Sequence, residues 1–395
     1  MEKQKICIVG GGLTGLITAI TLSKLNNIKI DLISNFNNTA NMKSIRTTAI
    51  SQNNYDFLKK LNVIEYSQKQ FWSCQEMKLY TQNVGENFFE IFDIKKKAEK
   101  NKKIFYMTEN NTLIKNMLRE INKCKSIKLT TQKKVSEILT SGFLRSIKFG
   151  EKKNSKYNLI ILCVGNNSNL TNTVFNNQSY GHSYEETSVT TLINHDHCNN
   201  NIARQIFLDN SILALLPISK TKTSVVWTIK SNEMNKPKNI LNLLLKKKIK
   251  KYTNNFYNNI KFVSKLEFKD INFLIRKKYF KNRVLLFGEG LHQVHPLAGQ
   301  GFNMILRDLI CLEKILKDKI NLGLDIGNDD VLSEFSLKTK PRNFVYSMGI
   351  DLLKSSFSFK NKKISKVRNN VIAGLNKSNF VKEVFYNLAN EGFKF

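Results

Sequence analysis

The chain's 395 residues exceed what one ordinary hydrophobic core needs and suit two intergrown ones, and 41% hydrophobic residues are enough to fill them. No run of about 18 apolar residues occurs, which argues against a membrane-crossing helix. The 63 Lys and Arg against 31 Asp and Glu leave a net charge of +32, an excess that points either to polyanionic partners or to nothing beyond composition. The lysines are spread along the chain and travel with Asn, Ile and Phe, residues that share AT-rich codons. Genome composition is therefore the plain account of the charge, and contact with an anionic membrane surface is the functional one. No zinc-finger or recognition-helix motif accompanies it, so no nucleic-acid partner is expected.

Taken in order, Ile6–Val9 reads as a short apolar strand, followed by a glycine turn, an amphipathic helix from about Thr14 to Leu25, and a second strand over Ile28–Ile33. That succession is the first unit of a doubly wound sheet. The opening residues run straight into the strand without the features of a signal peptide, so a cytoplasmic protein is the expectation. Glu109–Ile121 has helical spacing, with Leu113, Met117 and Leu118 on one face, and strands are predicted near Ser126–Thr130 and Phe143–Phe149. The continuous apolar run Tyr157–Val164 reads as a buried parallel strand. From about Tyr184 to Phe268 the pattern turns to alternation, over Val189–Ile193, Ile202–Phe207, Ile212–Leu216 and Thr223–Ile229, which predicts a mostly antiparallel sheet. Val284–Phe287 returns to a buried strand, Gly301–Leu316 is a helix, and Arg342–Phe395 is helical with lysine-rich polar positions. The six cysteines are scattered without a CxxC pair, so reduced thiols are expected rather than a disulfide framework.

Two glycine-rich stretches carry the chemistry. Gly10, Gly12 and Gly15 form a GxGxxG between strand and helix. The first permits a tight turn, the second lets backbone amides approach a pyrophosphate at a helix N-terminus, and the third allows close helix–strand packing. The acidic ribose ligand usual about 20 residues further on is missing. Ser34 with Asn35 at the end of the second strand takes that contact, or a residue elsewhere does. The second stretch is Gly288-Glu289-Gly290-Leu291-His292-Gln293-Val294-His295-Pro296-Leu297-Ala298-Gly299-Gln300-Gly301-Phe302-Asn303. A buried strand ends in Gly288, Glu289 is suited to accept hydrogen bonds from a sugar-alcohol chain, and the amides of Gly299–Asn303 open a helix toward another electron-rich group. A flavin offers both, as ribityl hydroxyls and as a ring edge that becomes negative on reduction.

These segments resemble the single-component FAD-dependent aromatic hydroxylases, and in detail their ubiquinone-biosynthesis branch (2-polyprenyl-6-methoxyphenol hydroxylase-like). Arg46-Thr47-Thr48-Ala49-Ile50-Ser51 is similar to that branch's RTxAIS segment, and Tyr184-Glu185-Glu186-Thr187 to a tyrosine-containing strand entry. Ala214-Leu215-Leu216-Pro217 through Val226-Trp227-Thr228 resembles LALLP…VWT, and residues 288–308 resemble GDAAHxxHPxAGQGxNxGxRD, with Glu289 in place of the Asp. The matches run in order over roughly residues 5–310, while the tail matches only in helical character. In the second FAD motif Gly165 and Ser168 survive, whereas Val164 stands where the family has Asp.

The resemblance implies an α/β fold: a Rossmann-type FAD-binding domain with an inserted, mostly antiparallel substrate sheet and a C-terminal helical tail. The expected parts are an FAD domain over 1–180 and 276–340, the sheet domain over 181–275, and the tail over 341–395. It further implies that Arg46 reaches the pyrophosphate or ribityl region. The implied reaction is hydroxylation of a polyprenylated phenol with O2 through a flavin C4a-hydroperoxide, NAD(P)H or another reductant supplying electrons. No side-chain nucleophile is required. Other ubiquinone-biosynthesis proteins are the expected partners, and a peripheral position on the inner membrane face accompanies that role. Two alternatives stay open: an aromatic monooxygenase for a small soluble substrate, and a non-catalytic flavin-binding accessory protein, which Val164 motivates.

Other residues read more plainly. Of His292 and His295, one is expected to fix the loop by hydrogen bonds while Pro296 stiffens the flavin-facing turn. Arg307 and Asp308 are expected to form an internal pair, and His195-Asp196-His197-Cys198 is read as a polar turn, no second cluster being present to complete a metal site. Phe380, Val384, Phe385 and Leu388 share a helical face that either caps the core or lies on an anionic bilayer.

Overall fold

Ile6 to Val9 are all buried, the mark of a strand covered on both faces rather than one. The computed structural model describes residues 3–35, 44–82, 88–95, 103–149, 152–165, 168–176, 178–209, 211–357, 370–372 and 374–391. It forms that strand over Gln4–Val9, inside a six-stranded sheet. Parallel neighbours flank it, with Ile8 opposite Leu32 of Ile28–Ile33 and Ile161 of Leu159–Leu162. Across the sheet the order is Phe280–Lys281, Val284–Leu286, Leu159–Leu162, Gln4–Val9, Ile28–Ile33 and Ile127–Thr130. The chain thus works outward on one side, then returns and works outward on the other. Open α/β sheets bind ligands beyond the carboxyl ends of their strands at such a reversal, which here is the crevice after Val9 and Leu162.

The helix after the glycine turn is Leu13–Leu22, shorter than the predicted span and not amphipathic: Gly15 to Leu22 are all buried. It is wedged between the sheet, the Asn110–Lys123 helix and the Gln300–Asn321 helix, so no face is left for water. Its two buried threonines satisfy their hydroxyls on the preceding turn, Thr18 on Thr14 O at 2.7 Å and Thr21 on Ile17 O at 2.9 Å.

The second sheet runs His292–Gln293, Glu267–Arg276, Ser179–Asn194, Lys222–Lys230, Ser211–Pro217, Ile202–Leu208, Glu76–Gln82, Phe88–Lys95, with Lys261–Phe262 added on Ser179–Asn194. It is mostly antiparallel, but it is not confined to 181–275. Glu76–Gln82 and Phe88–Lys95 come from the segment assigned to the first domain, and Glu76–Gln82 pairs in parallel with Ile202–Leu208. These two strands cover what would otherwise be an open edge of Ile202–Leu208. Along each strand the side chains alternate between two environments. Val189, Ile206, Leu213, Leu215, Val225 and Trp227 form the outer core with Leu241, Leu245 and Ile249 of the Lys238–Thr253 helix. Ala203, Gln205, Ala214, Leu216 and Val226 line a cavity on the inner face.

A three-stranded ribbon, Thr47–Ser51, Phe105–Glu109 and Trp72–Cys74, joins the two sheets. Helices Gln300–Asn321 and Asp329–Ser356 close the molecule, so the expected boundary between 340 and 341 falls inside one helix, at Pro341. The Asn379–Glu391 helix packs Val381 and Tyr386 on the strand Phe88–Lys95 and leaves Phe380 and Val384 exposed. The side chains of Phe385 and Leu388 lie outside the described residues.

Gly15 faces the carbonyl oxygen of Gly10 so closely that a Cβ would collide with it. Gly15→Val is therefore expected to lower unfolding free energy by about 1–3 kcal/mol. Scanning calorimetry of the two proteins measures this, and an unchanged Tm would mean that the contact has slack.

Candidate functional site

The crevice beyond the central strands opens into a cavity of about 480 Å³. Of the site residues and departures singled out in the sequence, Gly12, Arg46, Val164, Gly165, Glu289, His292, Pro296, Gly299, Gly301 and Phe302 line it. They reach it from four separate stretches of chain, each beside the start or end of a strand or the start of a helix. Gly10, Gly15, Ser34, Gly288, His295, Gln300 and Asn303 do not line it; they build its walls.

Gly10 sits at φ 126°, a conformation closed to other residues, with no room for a Cβ beside the Cys163 carbonyl. Cys163 itself is half-buried, and desolvation of its thiol pushes the pKa up to about 12. Ser34 lies buried against Gly11, where it props the turn instead of facing the cavity. Gly288 packs against Thr14, where a Cβ would come within 2.5 Å of the threonine methyl. Asn166 and Asn167, between Gly165 and Ser168, lie outside the described residues.

Gly12, Gly165 and Gly301 behave differently. A Cβ on any of them would meet nothing within 4 Å and would project into open space. Bare backbone therefore faces the cavity on three sides, and the Leu13–Leu22 and Gln300–Asn321 helices both begin there. Free amides at helix starts suit a pyrophosphate and an electron-rich ring edge, so the residues present fit FAD. Arg46 supplies a cation at the wall, held by Glu267 at 2.6 Å, and Glu289 pairs with Lys269 at 3.5 Å. Neither partner was legible in the sequence, because each sits on the far sheet with no local motif around it.

The start of the second helix is fixed by Asn303. Its Oδ1 accepts from Ser51 N at 2.9 Å and Asn54 Nδ2 at 2.8 Å, and its Nδ2 donates to Ala49 O at 2.9 Å. The side chain is a clamp on the strand Thr47–Ser51, so any cofactor contact of Asn303 falls to its backbone. Gln300 is likewise turned away, its Oε1 accepting from Tyr346 OH at 2.8 Å. The clamp brings Gly299, at φ 63°, against Ala49, where a Cβ would stand 2.9 Å from the Ala49 methyl.

Both histidines of the loop are buried in ion networks. His292 Nε2 lies 3.0 Å from Asp308 Oδ2, and Asp308 also accepts from Asn343 at 2.7 Å and Arg342 at 3.0 Å. The expected Arg307–Asp308 pair does not form. Consecutive helical residues point about 100° apart, and Arg307 instead lies over the Tyr346 ring. His295 Nε2 stands 3.2 Å from Glu186 Oε2, whose other oxygen takes Lys354 at 2.8 Å. A bulge between Ser183 and Glu186, with Glu185 at φ 51°, turns Glu186 inward. Burial holds the His295 pKa below the usual imidazole value, with Glu186 opposing the shift. For Glu186 burial acts upward, but hydrogen bonds from His295 and Lys354 outweigh it and leave the pKa below the usual carboxylate range. Elsewhere, His195 is buried on Thr223 at 3.0 Å and stacked on Tyr257 at 4.1 Å, a structural role.

The pH consequence has a definite sign. An unfolded imidazole takes its proton near pH 6.5, while folded His295 resists protonation to lower pH. In that window the unfolded state binds more protons, so stability falls as pH drops. Melting curves should show Tm declining from about pH 6.5 downward, and His295→Gln should flatten the upper part of that decline. Parallel curves for the two proteins would assign the loss to other groups.

Comparison with known proteins bears on this site. The family model described as FAD binding domain matches residues 3–322. The mitochondrial ubiquinone biosynthesis monooxygenase COQ6 of Dictyostelium discoideum is 23% identical over 92% of this chain and 86% of its own length. Its Caenorhabditis elegans counterpart is 23% identical over 88% and 86%. The ubiquinone hydroxylase UbiL of Rhodospirillum rubrum is 27% identical over 44% of this chain and 41% of its own length. Among solved structures, p-nitrophenol 4-monooxygenase PnpA from Pseudomonas putida superposes with a TM-score of 0.80 at 15% identity over the whole of both chains. The probable FAD-dependent monooxygenase pqsL from Pseudomonas aeruginosa superposes at 0.75 and 12% identity over 95% of this chain and 100% of that one. At such identities the likeness speaks for the fold. The chain thus belongs to the FAD binding domain family and is an FAD-dependent monooxygenase, with ubiquinone hydroxylases among its relatives.

Proposed function

We propose that the protein hydroxylates the aromatic ring of a polyprenylated phenol in ubiquinone biosynthesis. The observation that carries the reading is the two-sided cavity. Bare glycine backbone from two helix starts faces the apolar inner side of a sheet, where Ala203, Ala214, Leu216 and Val226 offer a surface for an aromatic ring with an apolar tail. Relatedness to ubiquinone hydroxylases along most of the chain supports the same substrate class.

FAD supplies the redox chemistry that activates O2, with NAD(P)H or another reductant as the electron source. The chain's own groups do the rest. The Gly10–Gly15 turn and the first amides of the Leu13–Leu22 helix hold the pyrophosphate, and Arg46, fixed by Glu267, offsets its charge. Glu289 accepts from ribityl hydroxyls. The first turn of the Gln300–Asn321 helix favours negative charge at the flavin edge by about 1 kcal/mol. Pro296 and the buried His295–Glu186–Lys354 set keep the intervening loop rigid, so the ring is held and water kept out.

A peripheral contact with an anionic bilayer belongs to the same reading. The Lys238–Thr253 helix has six lysines and no acid, and on its outward side Ile240 and Leu243 are 53% and 72% exposed. No helix among the described residues is long and apolar enough to cross a membrane. Replacing Lys247, Lys248 and Lys251 with Glu is expected to reduce co-sedimentation with anionic liposomes several-fold, since each lysine near such a surface is worth about 1 kcal/mol. Unchanged sedimentation would remove the contact from this helix.

The function is tested in two steps. Purified protein should show flavin bands near about 375 and 450 nm, and prenyl phenols should stimulate its O2 consumption where simple hydroxybenzoates do not. Stimulation by hydroxybenzoates alone would favour a small soluble substrate. Protein that stays colourless and cannot be reconstituted would defeat the hydroxylase reading.

A further inference from the structure

One cross-strand row of the second sheet has an unusual composition. Glu267 stands opposite Thr190, Thr190 opposite Val226, Val226 opposite Ala214, and Ala214 opposite Gln205. Side chains in one row share a face, and Thr190, Val226, Ala214 and Gln205 all line the cavity. The middle of the row is small and apolar, and its two ends are polar. Three inter-strand gaps separate Thr190 from Gln205, roughly 14 Å, which is room for a substituted ring lying on Ala214 and Val226.

The two ends differ. Thr190 neighbours Glu267, which is engaged with the cofactor-side Arg46. Gln205 belongs to the opposite end, where Phe207, two residues on and on the same face, packs with Val294 and Leu297 of the loop that carries Pro296. Gln205 is only 3% exposed, yet among the described residues its carboxamide has no hydrogen-bond partner. Its amide atoms are not sealed in the core but reach the cavity that the residue lines, where packing alone would be served better by Leu or Met.

We infer that Gln205 is the specificity-determining residue of the substrate site: its Oε1 accepts the hydroxyl hydrogen of a phenol whose ring rests on Ala214 and Val226. The inference rests on the proposed substrate class and adds the residue that recognises it. A site built to accept that hydrogen discriminates against a ligand whose hydroxyl is masked, because the buried amide is then left unpaired.

The test is binding to the oxidised, FAD-loaded protein without reductant, so that no turnover occurs. A short-chain prenyl phenol and its methyl ether are titrated separately while flavin absorption is followed. The wild type should bind the phenol about five- to tenfold more tightly than the ether. Gln205→Met should lose that preference by weakening phenol binding, with FAD retained. Gln205→Glu, which keeps an accepting oxygen, should preserve it. A preference that survives in Gln205→Met, or is absent from the wild type, overturns the role of Gln205 and leaves the hydroxylase reading standing. Loss of FAD from both variants would make the residue structural and overturn it equally. A wild type that binds FAD but neither ligand overturns the substrate class, and this inference with it.

Discussion

The carboxamide of Asn303 is the interaction on which the rest of the site depends. It joins the start of one helix to a strand and helix about 250 residues earlier, with donors and acceptors both used. A buried amide is costly unless fully bonded, so the geometry that satisfies it is strongly preferred over its neighbours. Once Asn303 grips Ala49, Ser51 and Asn54, Gly299 must lie against Ala49, and only a residue tolerating positive φ fits there. The helix start is then aimed at the crevice with little freedom left. A side chain that looked like a ligand in the sequence serves the cofactor by fixing what surrounds it.

Buried charge does similar work along the loop from Gly288 to Gln300. His292 and His295 each find a carboxylate, and each carboxylate finds a cation on the Asp329–Ser356 helix. Removing one member would strand the others in a dry interior, a loss that usually costs several kcal/mol. The loop is thereby tied to two elements that lie far off in sequence, one a strand of the second sheet and the other the closing helix. This explains why a thirteen-residue stretch with only short turns and a two-residue strand of its own holds shape at a cavity wall. It also explains the lowered pKa values, which report burial and pairing rather than acid–base chemistry.

The second sheet serves two purposes because its side chains alternate. Its outer face is ordinary core, closed by a lysine-rich helix, and its inner face is left uncovered for a ligand. The strands that enlarge it come from before residue 100, so the substrate wall and the cofactor domain are interwoven. A displacement of one would strain the other.

Much of this was legible in the sequence where the physics is local. The Gly10–Gly15 turn, the buried strands Gln4–Val9 and Leu159–Leu162, and the alternating strands after Tyr184 declare themselves through backbone freedom and side-chain period, properties of a few neighbouring residues. Both glycine-rich turns read as backbone suited to a cofactor, and the tertiary structure sets them around one cavity. Partnership was not legible. Glu267 beside Arg46, Lys354 beside Glu186, and the row that sets Gln205 opposite Ala214 depend on which strand lies next to which and in what register. The all-round burial of Gly15–Leu22 depends on what packs against that helix. Periodicity specifies which way a side chain faces, but only the assembled tertiary structure decides what it meets there, because the free energy of a buried polar or charged group is set by partners the local chain does not contain.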